Sequence, residues 1–166
     1  MKPCRRTETR ELDEIDIRIL NCLQKHGELS NVEISERVHL SAAQCSRRIR
    51  ELQRKGVISG YSAQLNREHL GLGVLAFVNV TFDKAQYRRL EELHKVMHSL
   101  PEVLECHAVT GDYDYLLKVV APDLEAYGAF LNGKLIQAPG VVSVRSAVAL
   151  DVVKSTTALP IEAKSR

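Results

Sequence analysis

The chain has 166 residues, 45% of them apolar, and 23 Lys and Arg against 21 Asp and Glu, a formal net charge of +2. That length buries one good core or two small ones. The near-zero net charge excludes a uniformly basic coat for nucleic acid, and no run of roughly 18 apolar residues is present to cross a membrane as a helix. Residues 1–69 carry 13 cationic and 10 acidic side chains and residues 70–166 carry 10 and 11, the sign expected if only the front half meets phosphate. Four cysteines, Cys4, Cys22, Cys45 and Cys106, are widely spaced with no CxxC pair, and read as reduced thiols of a cytoplasmic protein.

Residues 1–11 are polar, hold Pro3 and show no apolar period, so they are expected to form a flexible arm. From Leu12, apolar residues recur at Leu12, Ile15, Ile19 and Leu23, with Leu20 widening the stripe, which predicts an amphipathic helix. Asp13, Glu14 and Asp16 in its first turns and Lys25 and His26 before Gly27 complement its dipole. Residues 31–38 predict a short second helix with Asn31 as cap and Val32, Ile34 and Val38 inward.

The stretch from Leu40 to Lys55 follows after a three-residue turn. Cys45, Ile49 and Leu52 fall at i, i+4 and i+7 and face inward; Ala43, Ser46, Arg47, Arg50 and Arg54 fall on the opposite side. Ser41 stands where an N-cap belongs and Gly56 where a helix is released. Between Leu40 and Gly56 five cations, Arg47, Arg48, Arg50, Arg54 and Lys55, oppose Glu51 alone, a net of +4. A leading helix followed by two short helices across a tight turn is the helix-turn-helix order, whose last helix enters the major groove. Ser41, Ala42, Ala43, Gln44, Ser46, Arg47, Arg50 and Arg54 are the candidate DNA contacts. Arg47 and Arg50 suit guanine edges or phosphates, Gln44 suits adenine, and Ser41 and Ser46 suit either base or phosphate. The domain is expected to span 12–65, its last segment, 57–65, forming a short strand, wing or linker strand.

After Gly73 the apolar period changes to two. Val74, Ala76, Val78, Val80 and Phe82 alternate with Leu75 and Phe77, as in a strand covered on both faces. A helix is expected over about 84–99, strands over 103–110 and 115–120 paired through Gly111-Asp112, and a helix from Pro122-Asp123. A last strand should carry Val142, Val144, Val148, Leu150 and Val152 down one side. The order is βαββαβ, a ferredoxin-like α+β plan with two helices on one face of a four-stranded sheet. It spans 73–153, with a tail over 154–166. The open face of so small a domain is expected to pair with a second copy.

Together, the pattern LDxxDxxILxxLQxxGxxSNVExSxRVxLS, the segment KGVISGYSAQLN, and a rear domain bearing GDYDYLLKV and PGV resemble the leucine-responsive/asparagine-regulator (Lrp/AsnC) family of bacterial and archaeal transcription factors. The resemblance covers roughly Leu12 to Pro160. It implies a transcription regulator of amino acid metabolism binding a near-palindromic operator. It also implies a rear domain that dimerises and forms octamers, and a small free amino acid bound between dimers near Gly111, Asp112, Tyr113, Asp114 and Tyr115, without other cofactor. A glycine there lets backbone N–H groups approach a carboxylate, and Asp112 or Asp114 suits an ammonium. Many relatives carry proline where this chain has Ala42-Ala43-Gln44, which implies a different base preference.

Two other function classes compete with this one. An amino-acid-binding regulatory subunit of a metabolic enzyme fits the rear domain alone, but the chain has no nucleophile elbow, phosphate loop or metal cluster. His94 and His98 lie i, i+4 with no third ligand, and Cys106 and His107 in a strand point to opposite faces. An RNA-binding module is disfavoured by three Phe, five Tyr and no Trp, with no aromatic pair on the strands.

Overall fold

The computed structural model describes residues 12–162; the expected arm 1–11 and residues 163–166 of the tail lie outside them. The described chain divides into a front unit, residues 12–63 with 154–162, and a rear unit, Gln64–Val153.

The front unit holds α1 (Glu14–Lys25), α2 (Asn31–Val38) and α3 (Ala42–Arg54). Helix α1 starts where the Asp13 carboxylate accepts the Asp16 N–H at 2.8 Å. Helix α2 is capped by Ser30 rather than Asn31. The Ser30 hydroxyl accepts the Glu33 N–H at 3.3 Å while the Glu33 carboxylate accepts the Ser30 N–H at 2.8 Å, a reciprocal capping box that Asn31 has no acid at the right spacing to complete. His39 then adopts a left-handed conformation, φ 58°, and turns the chain into α3. Ile19, Leu20, Ile34, Val38, Cys45, Ile49 and Leu52 form the core, with Leu12, Ile15 and Leu23 packed partly buried against it. Val32, expected inward on α2, is instead 55% exposed, because it stands about 200° around the helix from the buried Ile34. Burial pushes the Cys45 thiol up, keeping it an inert protonated core group.

After α3, the N–H groups of Val57 and Ile58 both donate to the Leu52 carbonyl, at 2.9 and 3.2 Å. Residues 57–65 form no strand, against expectation; no ladder partner is present for them among the described residues. Residues 154–162 run against α1 instead of trailing free: Gln24 accepts the Leu159 N–H at 2.6 Å and donates to the Leu159 carbonyl at 3.2 Å, and Ile161 packs on the front core.

The rear unit is an antiparallel sheet in the order β2-β3-β1-β4, built from β1 (Val74–Phe82), β2 (Val103–Ala108), β3 (Tyr115–Ala121) and β4 (Val141–Val148). Helices α4 (Leu90–Ser99) and α5 (Leu124–Phe130) supply Leu93, Met97, Tyr127 and Phe130 to a core shared with Val74, Ala76, Val78, Val80, Leu117 and Val119. This is the βαββαβ order expected.

Three details differ. The expected helix over 84–99 is a 3-10 segment, Lys84–Arg89, kinked at Gln86, followed by α4. Among the described residues helices cover one face of β1; on the other, Leu75 is buried but Phe77 is 41% exposed. In β4 the register shifts opposite Thr81/Phe82, so that Val141 rather than Val142 packs inward, and the strand ends at Val148 before Leu150 and Val152. Gly140 permits the close turn into β4: its φ is +77° and an added Cβ would collide with the Phe82 ring.

Candidate nucleic-acid interface and effector turn

Helix α3 begins with a second capping box. The Ser41 hydroxyl accepts the Gln44 N–H at 3.3 Å and the Gln44 Oε1 accepts the Ser41 N–H at 3.4 Å. This confirms Ser41 as the cap and gives Gln44 a structural duty. A bidentate adenine contact needs the Gln44 oxygen as well as its amide nitrogen, so such a contact must break the box.

Ala42, Ala43, Gln44, Arg47, Arg50 and Arg54 are exposed on one side of α3 and Ser46 is half-buried. The five cations of this stretch are not equivalent. Arg48 donates through one nitrogen, Nη1, to Asp13 Oδ2 and to Asp16 Oδ1, each at 2.7 Å. Arg54 forks onto Glu51 at 2.8 and 2.6 Å, and Lys55 reaches the same carboxylate at 3.3 Å. The Arg54 hydrogen bond leads in pulling the Glu51 carboxyl down to about 2. Among the described residues Arg50 spends only its Nε, on the Ser46 carbonyl at 3.4 Å. Arg47 makes no ion pair among the described residues. A cation already paired must exchange its carboxylate for a phosphate or a base, whereas Arg47 and the terminal nitrogens of Arg50 need only shed water. The small Ala42 and Ala43 beside them leave the helix start open to close approach.

In the rear unit the turn between β2 and β3 separates into two halves. Asp114 Oδ2 accepts the Phe82 N–H at 2.8 Å, and the Asp114 N–H donates to the Val80 carbonyl at 3.0 Å. Tyr115 is buried, its hydroxyl 3.0 Å from His94 Nε2 with the two rings edge-to-face. Both residues therefore tie the turn to β1 and α4. Gly111 and Asp112 are exposed and Tyr113 is half-buried beneath the Arg145 guanidinium, 6.0 Å from the ring centre. Gly111 has φ +122°, open to glycine and strained for a side chain. Of the two aspartates suited to an ammonium, Asp112 is the one whose carboxylate is unspent among the described residues.

His94, weighed from sequence only as a metal ligand, and Arg145, which no local pattern singles out, reach the turn through tertiary packing. Beside the turn, a cavity of about 380 Å³ opens between α4 and β2, lined by His94, Met97, His98, Val103, Cys106 and Tyr115 among others. His94 and His98 share this wall, yet no group of three His, Cys, Asp or Glu is placed to hold a metal ion among the described residues. Cys106 faces the helices and His107 the other side, where it meets Glu105 at 3.0 Å, so they do not form a nucleophile and base pair. No helix of the described residues is long and apolar enough to cross a membrane.

Residues 12–59 match a winged helix-turn-helix DNA-binding domain and residues 75–159 match the Lrp/AsnC ligand binding domain. The leucine-responsive regulatory protein of Escherichia coli K12 is 43% identical over 155 residues, covering 93% of this chain and 94% of that protein. Among solved structures, a transcriptional regulator of Neisseria meningitidis in complex with L-methionine is 41% identical, with TM-score 0.87, covering 90% of this chain and 96% of that one. A feast or famine regulatory protein of M. tuberculosis complexed with L-methionine is 29% identical, with TM-score 0.82 over 89% of this chain and 98% of that one. With both domains matched in order and relatives that are transcription regulators rather than enzymes, this chain belongs to the Lrp/AsnC family of DNA-binding transcription regulators with an amino-acid ligand domain.

Proposed function

We propose that this chain is a cytoplasmic, sequence-specific regulator of amino acid metabolism genes, whose α3 reads the major groove through Arg47 and Arg50. Ser41, Ala42, Ala43, Gln44, Ser46 and Arg54 complete the contact surface. The observation that carries this reading is the unequal pairing of the cations on α3: among the described residues Arg47 and Arg50, which point outward from its middle, have no carboxylate partner, whereas Arg48 and Arg54 do. Ser41 and Gln44 hold the helix start in shape, and Arg54 contributes charge to the phosphate flank while remaining forked on Glu51.

Two copies pair through the open sheet face carrying Phe77 and Leu116, and further dimers assemble into an octamer. A dimer presents two α3 helices to half-sites about 34 Å apart or a multiple of that, so the operator is near-palindromic. A small amino acid binds at the 111–115 turn, its carboxylate on the backbone N–H groups around Gly111 and its ammonium on Asp112. The L-methionine found with two solved relatives supports this ligand class. The ligand shifts DNA affinity by as much as its own affinity differs between two arrangements of dimers.

The test is selection of duplexes from a randomised library by the purified protein, followed by calorimetry with each of the twenty amino acids. Enrichment of a two-fold symmetric site and saturable binding of at least one amino acid, abolished by Asp112→Asn, are expected. Equal affinity for enriched and random duplex at moderate salt would overturn the DNA reading, and no heat from any amino acid would overturn the ligand reading.

A further inference from the structure

We propose that Arg48 is a positioning residue for DNA recognition: held between Asp13 and Asp16 of α1, it fixes the roll of α3 and so aims Arg47 and Arg50, without itself touching DNA. The inference rests on the reading of α3 as the sequence-reading helix.

The inward stripe of α3, Cys45, Ile49 and Leu52, makes the helix bury that side, but apolar contact has no direction of its own and leaves the helix free to roll by some degrees. A roll of about 20° on a helix of radius about 5–6 Å displaces its surface by about 2 Å, enough to break a hydrogen bond to a base edge. A directional tie is needed to fix that angle, and Arg48 is placed to supply it. It lies between the inward stripe and the outward Arg47, its side chain only 25% exposed, and its Nη1 bridges the two carboxylates at 2.7 Å each.

Asp13 contributes with both oxygens: Oδ1 caps α1 through the Asp16 N–H at 2.8 Å while Oδ2 takes Arg48. The bridge therefore joins the first turn of α1 to the middle of α3. Asp16 is itself 16% exposed in its side chain, so its charge is committed to this contact rather than to solvent.

The variant that isolates the role is Asp16→Asn, which leaves the Asp13 cap in place. Removing an acidic group from the DNA-binding unit would, by charge alone, tighten binding to any duplex. A positioning role has the opposite sign for the cognate site. Affinity of Asp16→Asn and Arg48→Gln for a duplex enriched by the wild-type protein is expected to fall about tenfold, while affinity for a random duplex of equal length changes by no more than about threefold. The slope of log affinity against log salt should be that of the wild type, and Arg48→Lys should recover part of the loss. Thermal unfolding shows that each variant is folded at the assay temperature.

The proposal is overturned if Asp16→Asn binds the enriched duplex as tightly as the wild type or tighter. It is equally overturned if Arg48→Gln lowers the salt slope by about one and weakens both duplexes alike, the mark of a phosphate contact. If the wild-type protein enriches no duplex, the underlying DNA reading fails; a selective wild type with an unaffected Asp16→Asn variant defeats the positioning role alone.

Discussion

Asp114 stands in the turn proposed to bind the amino acid, yet its carboxylate already accepts the Phe82 N–H at 2.8 Å and its N–H donates to the Val80 carbonyl. Replacing it with alanine leaves the Phe82 N–H, at the end of a central strand, without an acceptor. A hydrogen bond to a charged group contributes about 1.5–3 kcal/mol, and Asp114 is half-buried, so we expect about 1–2 kcal/mol of destabilisation. In a unit of this size that lowers the melting temperature by about 5–10 °C. The chain carries its own probe: Tyr113, Tyr115 and Tyr127 are half-buried or buried in the rear unit, Tyr61 of the front unit is exposed, and there is no tryptophan, so near-ultraviolet circular dichroism follows mainly the rear unit. Asp114→Asn keeps an acceptor oxygen and should recover about half of the loss. Full stability of Asp114→Ala, with amino acid binding abolished in a still-folded protein, would refute the structural role and return Asp114 to the ligand site.

Three further outcomes follow from the same geometry. Gly140→Ala meets the Phe82 ring at a positive φ and should cost about 2–4 kcal/mol in urea unfolding, since neither a large side chain of the core nor the turn can give way cheaply. Arg47→Ala should weaken binding to an enriched duplex by about 1–3 kcal/mol in a gel shift at fixed salt, with relaxed preference at one base position; unchanged affinity would remove it from the readout. Burial opposes ionisation of Asp13, but the Asp16 N–H and Arg48 outweigh it and its carboxyl lies below the ordinary value of 3.8. Its contribution to front-unit stability is therefore present above that value and lost as pH falls through the lower folded one. In acid titration of stability, Asp13→Asn, which keeps a good cap, should flatten that limb.

The inward faces were legible because periodicity reports burial directly: Ile19, Ile34, Cys45, Ile49 and Leu52 on helices, and Val74 to Phe82 at every second residue, are all in the two cores. Turn chemistry was legible where one residue type stands alone, as at Ser41, which caps α3, and Gly56, which follows it at φ 71°. It failed by one position at Ser30-Asn31, where two good caps adjoin and only the acid at Glu33 decides between them. Covering on both faces of β1 was misread because an apolar residue such as Phe77 looks the same in sequence whether a helix or solvent lies above it. Polar partnerships were beyond local pattern altogether. Arg48 is 32 residues from Asp16 and Asp114 is 32 from Phe82, so the partners that hold Arg48, and the difference between two aspartates that looked equivalent in the turn, came only with the fold.

Arginine-selective labelling with phenylglyoxal, read by mass spectrometry with and without an enriched duplex, tests most directly which cations of α3 meet DNA. Arg47 and Arg50 should label readily in the free protein and be protected in the complex, while Arg48, held by its two carboxylates, labels slowly in both states. Undiminished labelling of Arg47 and Arg50 in a saturated complex would contradict the assignment of α3 as the reading helix.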